Sequence, residues 1–495
     1  MTPPAPDLVT GLLLAVPLAG AAAAQLARTA RGMLMSVVGG AVATCALAAA
    51  AVWLVWTGGP VQAAGGWFLL DPLATYHLAV MGLVLLMSSL FAVDYFDDEI
   101  RRGALGLPAV RLFAVLWSGS VAAMTLVLVS NSVGLMWVGL EATTLLTAFL
   151  ICLHRDKGSL EATWKYILIC SVGIALAFMG TILVAAAAPR GEFGGAGVLS
   201  WTRLVALGPA LDPALVRLGF IFLLVGYGTK AGLAPMHTWL PDAHSQAPAP
   251  VSALFSGFMI NTGLYCLMRY LAILAGTPAS GAWARGLLVF LGLVSLVTAA
   301  AFILFQRSLK RLLAYSGVEH MGIIALGLGL GGLGTVGALW HVLNHSLAKT
   351  FAFCAAGRMG QLYGSHDMDR MKGTLRAAPV WGTGLWVSFL ALLGVAPFAL
   401  FMSEFTIFRG ALQARAFWPA GIFLGAVAVV FVGASRHAIA MAFGSSPDRE
   451  LDERAGVRAR VLVWGAIAGL LGLGLWLPGP LARMLAEAAR VLEGG

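Results

Sequence analysis

Long apolar runs recur from one end of the chain to the other, and short polar segments separate them. Most runs hold about 20 residues, enough for an α-helix to cross a bilayer core of about 30 Å. The apolar positions are continuous rather than alternating, which favours helices over the strands of a membrane barrel. The pattern predicts about 14 membrane helices, near residues 8–28, 33–57, 72–94, 108–129, 132–153, 162–187, 216–240, 248–275, 284–306, 312–331, 335–359, 378–408, 416–443 and 459–485.

The balance of residue types agrees with an all-α polytopic membrane protein. Of 495 residues, 60% are hydrophobic and 11% are charged, and the mean hydropathy is +0.89. Soluble domains carry about 25% charged residues, so a soluble fold of this length is excluded and the lipid bilayer is a required partner. The net charge of +9 is scattered over loops, which argues against a nucleic-acid partner.

The distribution of Lys and Arg predicts how the helices are oriented. With the N-terminus outside, the predicted inner loops hold roughly twice as many basic residues as the outer segments. This bias predicts a multi-pass protein of the cell inner membrane with both termini on the outer, periplasmic side. The first span has no basic residue before it, so it is interpreted as a retained helix rather than a cleaved signal.

The five cysteines bear on electron transfer. Cys45, Cys152, Cys170, Cys266 and Cys354 all lie in apolar runs, and none forms a C-x-x-C pair. Iron–sulfur clusters and structural zinc sites need clustered thiolates or thiolate–imidazole sets. The sequence therefore predicts no cofactor in this chain.

Four charged residues lie inside the apolar runs: Glu141, Lys230, Lys349 and Glu404. A charge near the bilayer centre costs roughly 2.5–3.5 kcal/mol on insertion scales, and such residues usually mark ion or proton pathways. The alternation of acid and base along the chain predicts a proton relay made of these four residues. For Glu141 the alternative is a purely structural ion pair with Lys230.

In two of the runs a helix-breaking proline lies close to one of these charged residues. Lys230 is followed by Pro235, and Pro397 precedes Glu404. Broken helices are common at transporter ion sites, and repeated halves are common in the same proteins. The alternative for the first run is a structural kink from which Lys230 reaches the membrane interface.

The two breaks occupy corresponding halves of the chain, which predicts two inverted five-helix repeats. Helices four to eight would form the first repeat at 108–275, and helices nine to thirteen the second at 276–443. Helices one to three would occupy 1–107, and a C-terminal loop with helix fourteen would occupy 444–495.

The eleventh span carries three titratable residues at four-residue intervals: His341, His345 and Lys349. That spacing puts them on one helix face, where near-neutral imidazoles suit a hydrated proton relay. Two histidines at i and i+4 can also bind zinc, but no nearby acid or thiol completes the set. The sequence therefore predicts no metal site.

Weaker candidates support this relay. His244 lies at the inner end of the first broken helix, His320 follows Glu319, and Lys165 follows Glu161 by four residues. Lys165 could equally form only an interfacial helix pair with Glu161. Other charged residues are interpreted as loop, outer-segment or inner-anchor positions, namely Asp71, Asp94, Asp97, Asp98, Arg269 and Lys310.

At these positions the chain resembles a known family. The stretches LAPMHTWLPDAHSQAPAPVSAL, SLKRLLAYSGVEHMG and NHSLAKTFAF look like the proton-translocating antiporter-like subunits. That family includes membrane-arm subunits of respiratory complex I, large subunits of multi-subunit cation/proton antiporters, and subunits of membrane-bound nickel–iron hydrogenases. The stretch MWVGLEATTLLTAFLICLHRDKGSLEATWKYILICSVGIALAFMGT looks most similar to component F of the hydrogenase-4 type.

The resemblance implies roles for individual positions. The family's fifth-helix acid and seventh-helix lysine, which form the first half-channel pair, match Glu141 and Lys230. The eleventh-helix lysine matches Lys349, and the terminal residue of the twelfth helix matches Glu404. Many members carry lysine or histidine in the eighth helix, where this chain has Asn261. Asn cannot titrate, so water, His244 or Lys349 would have to complete the central link.

The resemblance implies a proton-translocating membrane subunit of a redox-driven complex, of the membrane-bound hydrogenase or NADH–quinone oxidoreductase type. Its partners would be other membrane-arm subunits and a peripheral redox module. The alternative is a subunit of a multi-subunit cation/proton antiporter without a redox partner, and a third interpretation is a structural membrane scaffold. Neighbouring genes for hydrogenase or for small antiporter subunits would separate the first two.

Overall fold

Apolar helices make up almost all of the structure. The computed structural model describes residues 5–189, 197, 199–445, 453 and 455–494. Its helices are α1 (Pro6–Leu26), α2 (Ala30–Gly58), α3 (Pro72–Arg101), α4 (Leu107–Val129), α5 (Val133–Ile151), α6 (Lys157–Ala186), α7 (Trp201–Ala206), α8 (Pro213–Ala231), α9 (Trp239–Gln246), α10 (Ala249–Leu254), α11 (Ile260–Gly276), α12 (Gly281–Ile303), α13 (Leu309–Leu330), α14 (Leu333–Tyr363), α15 (Thr374–Ala377), α16 (Pro379–Leu392), α17 (Ala399–Gln413), α18 (Phe417–Phe443), α19 (Val457–Leu475) and α20 (Gly479–Leu492). Strands β1 (Val61–Ala63) and β2 (Phe68–Leu70) form a short antiparallel hairpin.

Twelve of the described helical spans are long and apolar enough to cross a membrane, with α10 and α11 counted as one. This confirms the prediction of an all-α polytopic membrane protein. The long helix α14 and the paired short helices α16 and α17 occupy the eleventh and twelfth predicted runs. The count of about 14 spans and the two inverted repeats stay predictions.

Several predicted boundaries were wrong. The third span continues to Arg101, so Asp94, Asp97 and Asp98 lie in the last turns of α3 rather than in a loop. Asp98 pairs there with Arg102 at 2.8 Å. Because the carboxylate is paired with a cation, the helix can continue past Asp94 to Arg101. The last predicted span is two helices, α19 and α20, because Pro478 interrupts it. Much of the loop at the start of the predicted 444–495 segment lies outside the described residues.

Both described ends of the chain lie on one face of the bundle, here called the N-terminal face. Three hydrogen bonds connect segments of this face: Ala64 N–H to Asp7 at 2.7 Å, Gly332 N–H to Glu493 at 2.8 Å, and Tyr76 to the Leu339 carbonyl. Helices α1, α3, α8 and α14 begin there, and α11 ends there. Whether this is the outer side of the membrane stays a prediction.

The core of the bundle is formed by α10, α11 and α13. In the most apolar part of these helices every residue is buried. By contrast, only a third of the residues in the most apolar part of α1, α2, α18 and α19 is buried, and the other residues face outward. Large apolar side chains such as Trp53, Phe431 and Trp464 are exposed there. Surfaces of this kind are suited to lipid, whereas the polar residues in the most apolar part of α10, α11 and α13 are buried inside the bundle.

Each predicted broken helix is interrupted by the same local structure. In the first, α8 ends at Ala231 and is capped by Gly232, and the chain then passes a cis Ala234–Pro235 bond before α9. In the second, α16 is followed by Gly394 and a cis Ala396–Pro397 bond before α17. The two sequences, GLAP and GVAP, differ at one position. Both glycines have positive φ, +75° and +62°, which other L-residues adopt only with strain.

Candidate functional site

Lys230 lies in the last turn of α8, directly before the first break, and is completely buried. Its ammonium donates hydrogen bonds to Thr144 Oγ1 of α5 at 3.0 Å and to the Tyr166 hydroxyl of α6 at 2.6 Å. It also lies 4.9 Å from the centre of the Tyr166 ring. Two hydroxyls and an aromatic face therefore hold this cation.

Glu141 does not form the direct ion pair with Lys230 that the sequence suggested. No carboxylate oxygen of Glu141 comes within 4.0 Å of the Lys230 nitrogen in the described part of the chain. Glu141 Oε2 is buried and has no hydrogen-bond partner there. Thr144, one turn from Glu141 on α5, takes the contact instead. A hydroxyl of α5 therefore occupies the place beside the Lys230 ammonium where a carboxylate was considered.

Three buried histidines meet between α13, α14 and α17. His320 Nδ1 lies 3.0 Å from His341 Nε2, and His341 Nδ1 lies 2.9 Å from Ser403 Oγ. The His345 ring centre is 5.1 Å from that of His320, and neither of its nitrogens has a hydrogen-bond partner among the described residues. The predicted His341 and His345 face of α14 is thus extended to its neighbours by His320 and Ser403.

Lys349 continues the same face of α14 and is completely buried. Its ammonium donates to the Leu313 carbonyl of α13 at 2.6 Å. Glu319, two turns further along α13, is also buried, and its Oε2 has no hydrogen-bond partner within the described ranges. The sequence interpretation left Glu319 out of the relay, although a carboxylate inside the apolar run 312–331 was a sufficient signal.

Glu404 approaches the histidines from α17. Its carboxylate packs directly on Gly394 of the second break. One ligand atom each from Glu404, His320 and His341 lies within 4.8 Å of the others, and all three residues are buried. Two imidazoles and a carboxylate are donors that zinc accepts. The reason for predicting no metal, the lack of a nearby acid, was therefore wrong, while the absence of a metal stays a prediction.

Asn261 lies in the middle of the bundle, in the first turn of α11, and its side chain points towards α14. Its side-chain amide donates to the Gly257 carbonyl at 3.1 Å and to Ser346 Oγ at 3.0 Å. Its Oδ1 is buried and has no partner among the residues described. Ser346 is three residues before Lys349 on α14, so Asn261 joins the face that carries the lysine.

His244 of α9 lies between Lys230 and Lys349. Its ring centre is 6.0 Å from Trp239 and 6.0 Å from Phe353. Trp239 contacts Tyr166, which binds Lys230, and Phe353 follows Lys349 by one turn. His244 Nδ1 contacts the Leu240 carbonyl at 3.0 Å, and Nε2 is buried with no partner in the described structure.

Lys165 lies apart from this group, on the exposed surface of the opposite face. It pairs with Glu161 at 2.6 Å and with Asp242 of α9 at 3.0 Å, while Arg311 of α13 reaches Asp242 at 2.5 Å. The interfacial pair considered from the sequence is therefore present. Such exposed pairs contribute about 0–1 kcal/mol, and a relay role for Lys165 has no geometric support.

Lys310 was predicted to be an inner-loop anchor, but the structure buries it. Its ammonium donates to the Ala247 carbonyl at the end of α9. The neighbouring loop residue His366 accepts from Leu309 N–H at 2.8 Å through its carbonyl. Burial, with the Lys310 charge nearby, lowers the pKa of His366 to about 3. This imidazole is therefore neutral at physiological pH.

Asp71 and Arg269, predicted to lie in a loop and an outer segment, form a buried ion pair. Their two guanidinium–carboxylate contacts measure 2.5 and 2.9 Å. Arg269 belongs to α11 and follows Tyr265 and Asn261 at four-residue intervals. That spacing, and the position of Arg269 inside an apolar run, could have indicated it from the sequence.

Comparisons with known proteins identify the family of this chain. The family model described as NADH:quinone oxidoreductase/Mrp antiporter, TM, matches residues 130–431. The hydrogenase-4 component F homolog of Methylacidiphilum infernorum is 40% identical over 350 residues, covering 70% of this chain and 73% of that protein. The NADH-quinone oxidoreductase subunit N 2 of Symbiobacterium thermophilum is 26% identical over 446 residues, covering 88% and 85%.

A solved structure shares the fold over nearly the whole length. A chain of the membrane-bound sulfane sulfur reductase, an archaeal respiratory membrane complex, superposes with a TM-score of 0.86 at 24% identity, covering 98% of both chains. The family match includes Glu141, Lys230, Lys349 and Glu404. The resemblance seen in the sequence is thus confirmed, and the chain belongs to the transmembrane family of NADH:quinone oxidoreductase and Mrp antiporter subunits.

Proposed function

We propose that this chain is the proton-translocating membrane subunit of a redox-driven complex, of the membrane-bound hydrogenase or NADH–quinone oxidoreductase type. The observation that carries the proposal is a band of buried titratable groups across the middle of the bundle. It runs from Lys230 past His244 to Lys349 and on through the histidines to Glu404. A residue of this kind inside a membrane protein is expensive, and it persists where it handles ions or protons.

Unsatisfied atoms in this band support a role in transport rather than in stability. His244 Nε2, both His345 nitrogens and Glu319 Oε2 are buried without partners among the described residues. Each such group costs about 1–3 kcal/mol if it stays dry. Ordered water relieves this cost where a site is polar and has room. Water between these groups would let a proton pass in short steps.

The two ends of the band differ in chemistry. Lys230 is held by neutral hydroxyls, so it can lose a proton without leaving a bonded carboxylate unpaired. Glu404 lies beside two imidazoles that can pass a proton between their ring nitrogens. We propose that protons move between these ends through His244, Lys349 and water bound at the Asn261 amide, and that Glu141 supplies Lys230.

The partners follow from the same proposal. A peripheral redox module and other membrane-arm subunits would supply the energy, and no cofactor would be bound by this chain. Its five cysteines are free thiols and lie in different helices or helix ends. The protein would lie in the cell inner membrane with the N-terminal face on the outer side.

The test measures proton movement and electron transfer together in sealed membrane vesicles that contain the whole complex. We expect Lys230→Ala and Glu141→Ala to assemble and to lower the number of protons moved per electron at least tenfold. Lys157→Ala is the matched control, because Lys157 is exposed at the start of α6. Full proton movement in an assembled Lys230→Ala complex would exclude this residue from the path.

The second candidate function is a cation/proton antiporter subunit, which the family description itself includes. It is tested in the same vesicles without an electron donor. Sodium- or potassium-dependent proton movement that needs no redox substrate, and that Lys230→Ala abolishes, would favour the antiporter. Proton movement only during electron transfer would favour the redox-driven complex.

A further inference from the structure

A second row of polar residues leads from the centre of the bundle to the N-terminal face. Asn261, Tyr265 and Arg269 follow one another at four-residue intervals and share one side of α11. At 1.5 Å per residue, Asn261 is about 22 Å and Arg269 about 10 Å from the end of α11 at Gly276. The row therefore begins at the central contact with α14 and ends near the surface.

At the outer end of this row the guanidinium of Arg269 is enclosed by acceptors and an aromatic ring. Both carboxylate oxygens of Asp71 bind the Arg269 guanidinium, at 2.5 and 2.9 Å. The Tyr265 hydroxyl accepts from the same guanidinium at 2.6 and 2.9 Å and donates to the Leu128 carbonyl. The Trp201 ring centre lies 4.5 Å from the guanidinium carbon. The side chains of Arg269 and Asp71 are only 2% and 4% exposed.

A proton acceptor without a partner lies beside the row. His77 of α3 is completely buried, and its ring centre is 5.0 Å from that of Tyr265. Its Nδ1 lies 2.8 Å from the Leu73 carbonyl, an acceptor, so Nδ1 carries the hydrogen. Nε2 then has a lone pair, and it has no hydrogen-bond partner in the described residues. This imidazole can take up a proton in the neutral tautomer that it already has.

An open cavity at the N-terminal face comes close to the ion pair from the surface, at the first turn of α3. It has a volume of about 420 Å³ and lies between α2, the start of α3 and the amphipathic helix α20. Its lining includes Thr75, Glu487 and Arg490. Thr75 Oγ1 donates to the Asp71 backbone carbonyl at 2.9 Å. Solvent at the N-terminal face is therefore one helical turn from the buried ion pair.

We propose that Asn261, Tyr265, His77 and the Asp71–Arg269 pair form an outlet through which protons pass between the central relay and the N-terminal face. The proposal rests on the proton-translocating function above. His77 Nε2 takes a proton from the central water and releases it towards the N-terminal face while Nδ1 keeps its hydrogen. The fixed charge of Arg269 repels protons that would return, and Asp71 limits its effect on His77.

A purely structural ion pair is the competing explanation, because breaking one buried partner destabilises a fold whatever its function. The two explanations differ in what the neutral double variant does. Asp71→Asn with Arg269→Gln removes both charges and leaves no unpaired ion. A structural role predicts that less complex assembles, and that each assembled complex moves and leaks protons at the unchanged rate. A gating role predicts assembled complex that leaks protons.

The experiment uses the complete complex in sealed vesicles and normalises every rate to the amount assembled. We expect His77→Gln to lower the protons moved per electron at least fivefold, and Tyr265→Phe to lower it at least twofold. Tyr270→Phe is the matched control, since Tyr270 is equally buried on α11 but its hydroxyl bonds Thr181, away from the row. The neutral double variant should raise passive proton leak at least threefold under an imposed pH gradient.

The outcomes separate this outlet from the underlying function. An unchanged ratio in His77→Gln together with a lowered ratio in Lys230→Ala would overturn the outlet and keep the relay. Unchanged ratios in both would overturn the relay as well. If His77→Gln does not assemble, the leak of the Asp71→Asn/Arg269→Gln complex decides, and an unchanged leak overturns the gate.

Discussion

Gly394 tests whether the position of Glu404, rather than its mere presence, matters for proton transfer. Gly394 has a φ of +62°, and a Cβ atom there would overlap the Glu404 carboxylate. In Gly394→Ala the carboxylate must move by about 1 Å to regain van der Waals contact. The carboxylate stays chemically intact, so any loss of transfer comes from geometry.

Two costs of this substitution can be separated. The left-handed backbone conformation costs an alanine roughly 1–2 kcal/mol, which should lower the thermal stability of the complex by a few degrees. The displaced carboxylate is the end of a flexible side chain, so it adds little to that cost. A 1 Å misplacement at a reacting group can lower a rate about a hundredfold, and we expect at least a tenfold fall in protons moved per electron.

The assay is the proton-to-electron ratio in vesicles, with assembly measured on the same sample. Gly421→Ala is the matched control, because a Cβ there meets nothing within 4 Å and α18 is a regular helix. In a Glu404→Gln background, Gly394→Ala should add no further loss, since the affected group is already removed. Normal proton movement by an assembled Gly394→Ala complex would refute the reasoning.

Three further predictions use the same vesicles or the purified complex. Glu404→Gln should lower the protons moved per electron without loss of assembly, and an unchanged stoichiometry counts against its role. Lys349→Ala should stop transfer between the two halves, whereas Asn261→Ala should weaken it two- to threefold; equal effects would contradict a relay centred on the lysine. Because burial lowers the pKa of His366 to about 3, its neutral form stabilises the fold above pH 6.5, and this stability is lost as the pH falls from 6.5 towards 3. His366→Gln should reduce the fall in melting temperature between pH 7.5 and 5, and an identical fall would show that this imidazole is not responsible.

Charge inside an apolar run was the reliable signal in the sequence. Lys230 and Lys349 are completely buried in the core, as their positions indicated. The same signal applied to Glu319 and Arg269. The sequence interpretation nevertheless mentioned Glu319 only as the neighbour of His320 and assigned Arg269 to an outer segment. The all-helical fold followed from the length and continuity of the runs, because a membrane allows few other solutions.

Contacts between distant segments could not be read from helix periodicity. The approach of Glu404 to His320 joins residues 84 positions apart, and Asp71 meets Arg269 across 198. Glu141 and Lys230 were expected to touch because both are buried charges. The structure instead presents Thr144, one turn away on α5, to the Lys230 ammonium. Which side chain of α5 faces Lys230 depends on how the helices are rotated about their axes, and the sequence of a single helix does not determine that rotation.

The short helix α9 follows the first break and is tied to the second half of the protein at its far end. Asp242 binds Arg311 of α13, and Lys310 of α13 holds the carbonyl of Ala247, which ends α9. At its near end, Ala234 N–H donates to Ser295 of α12. Helix α9 is therefore a strut between the halves. Because these contacts join the first break to α12 and α13, we expect a shift that starts at Lys230 to move the helix that carries Glu319 and His320.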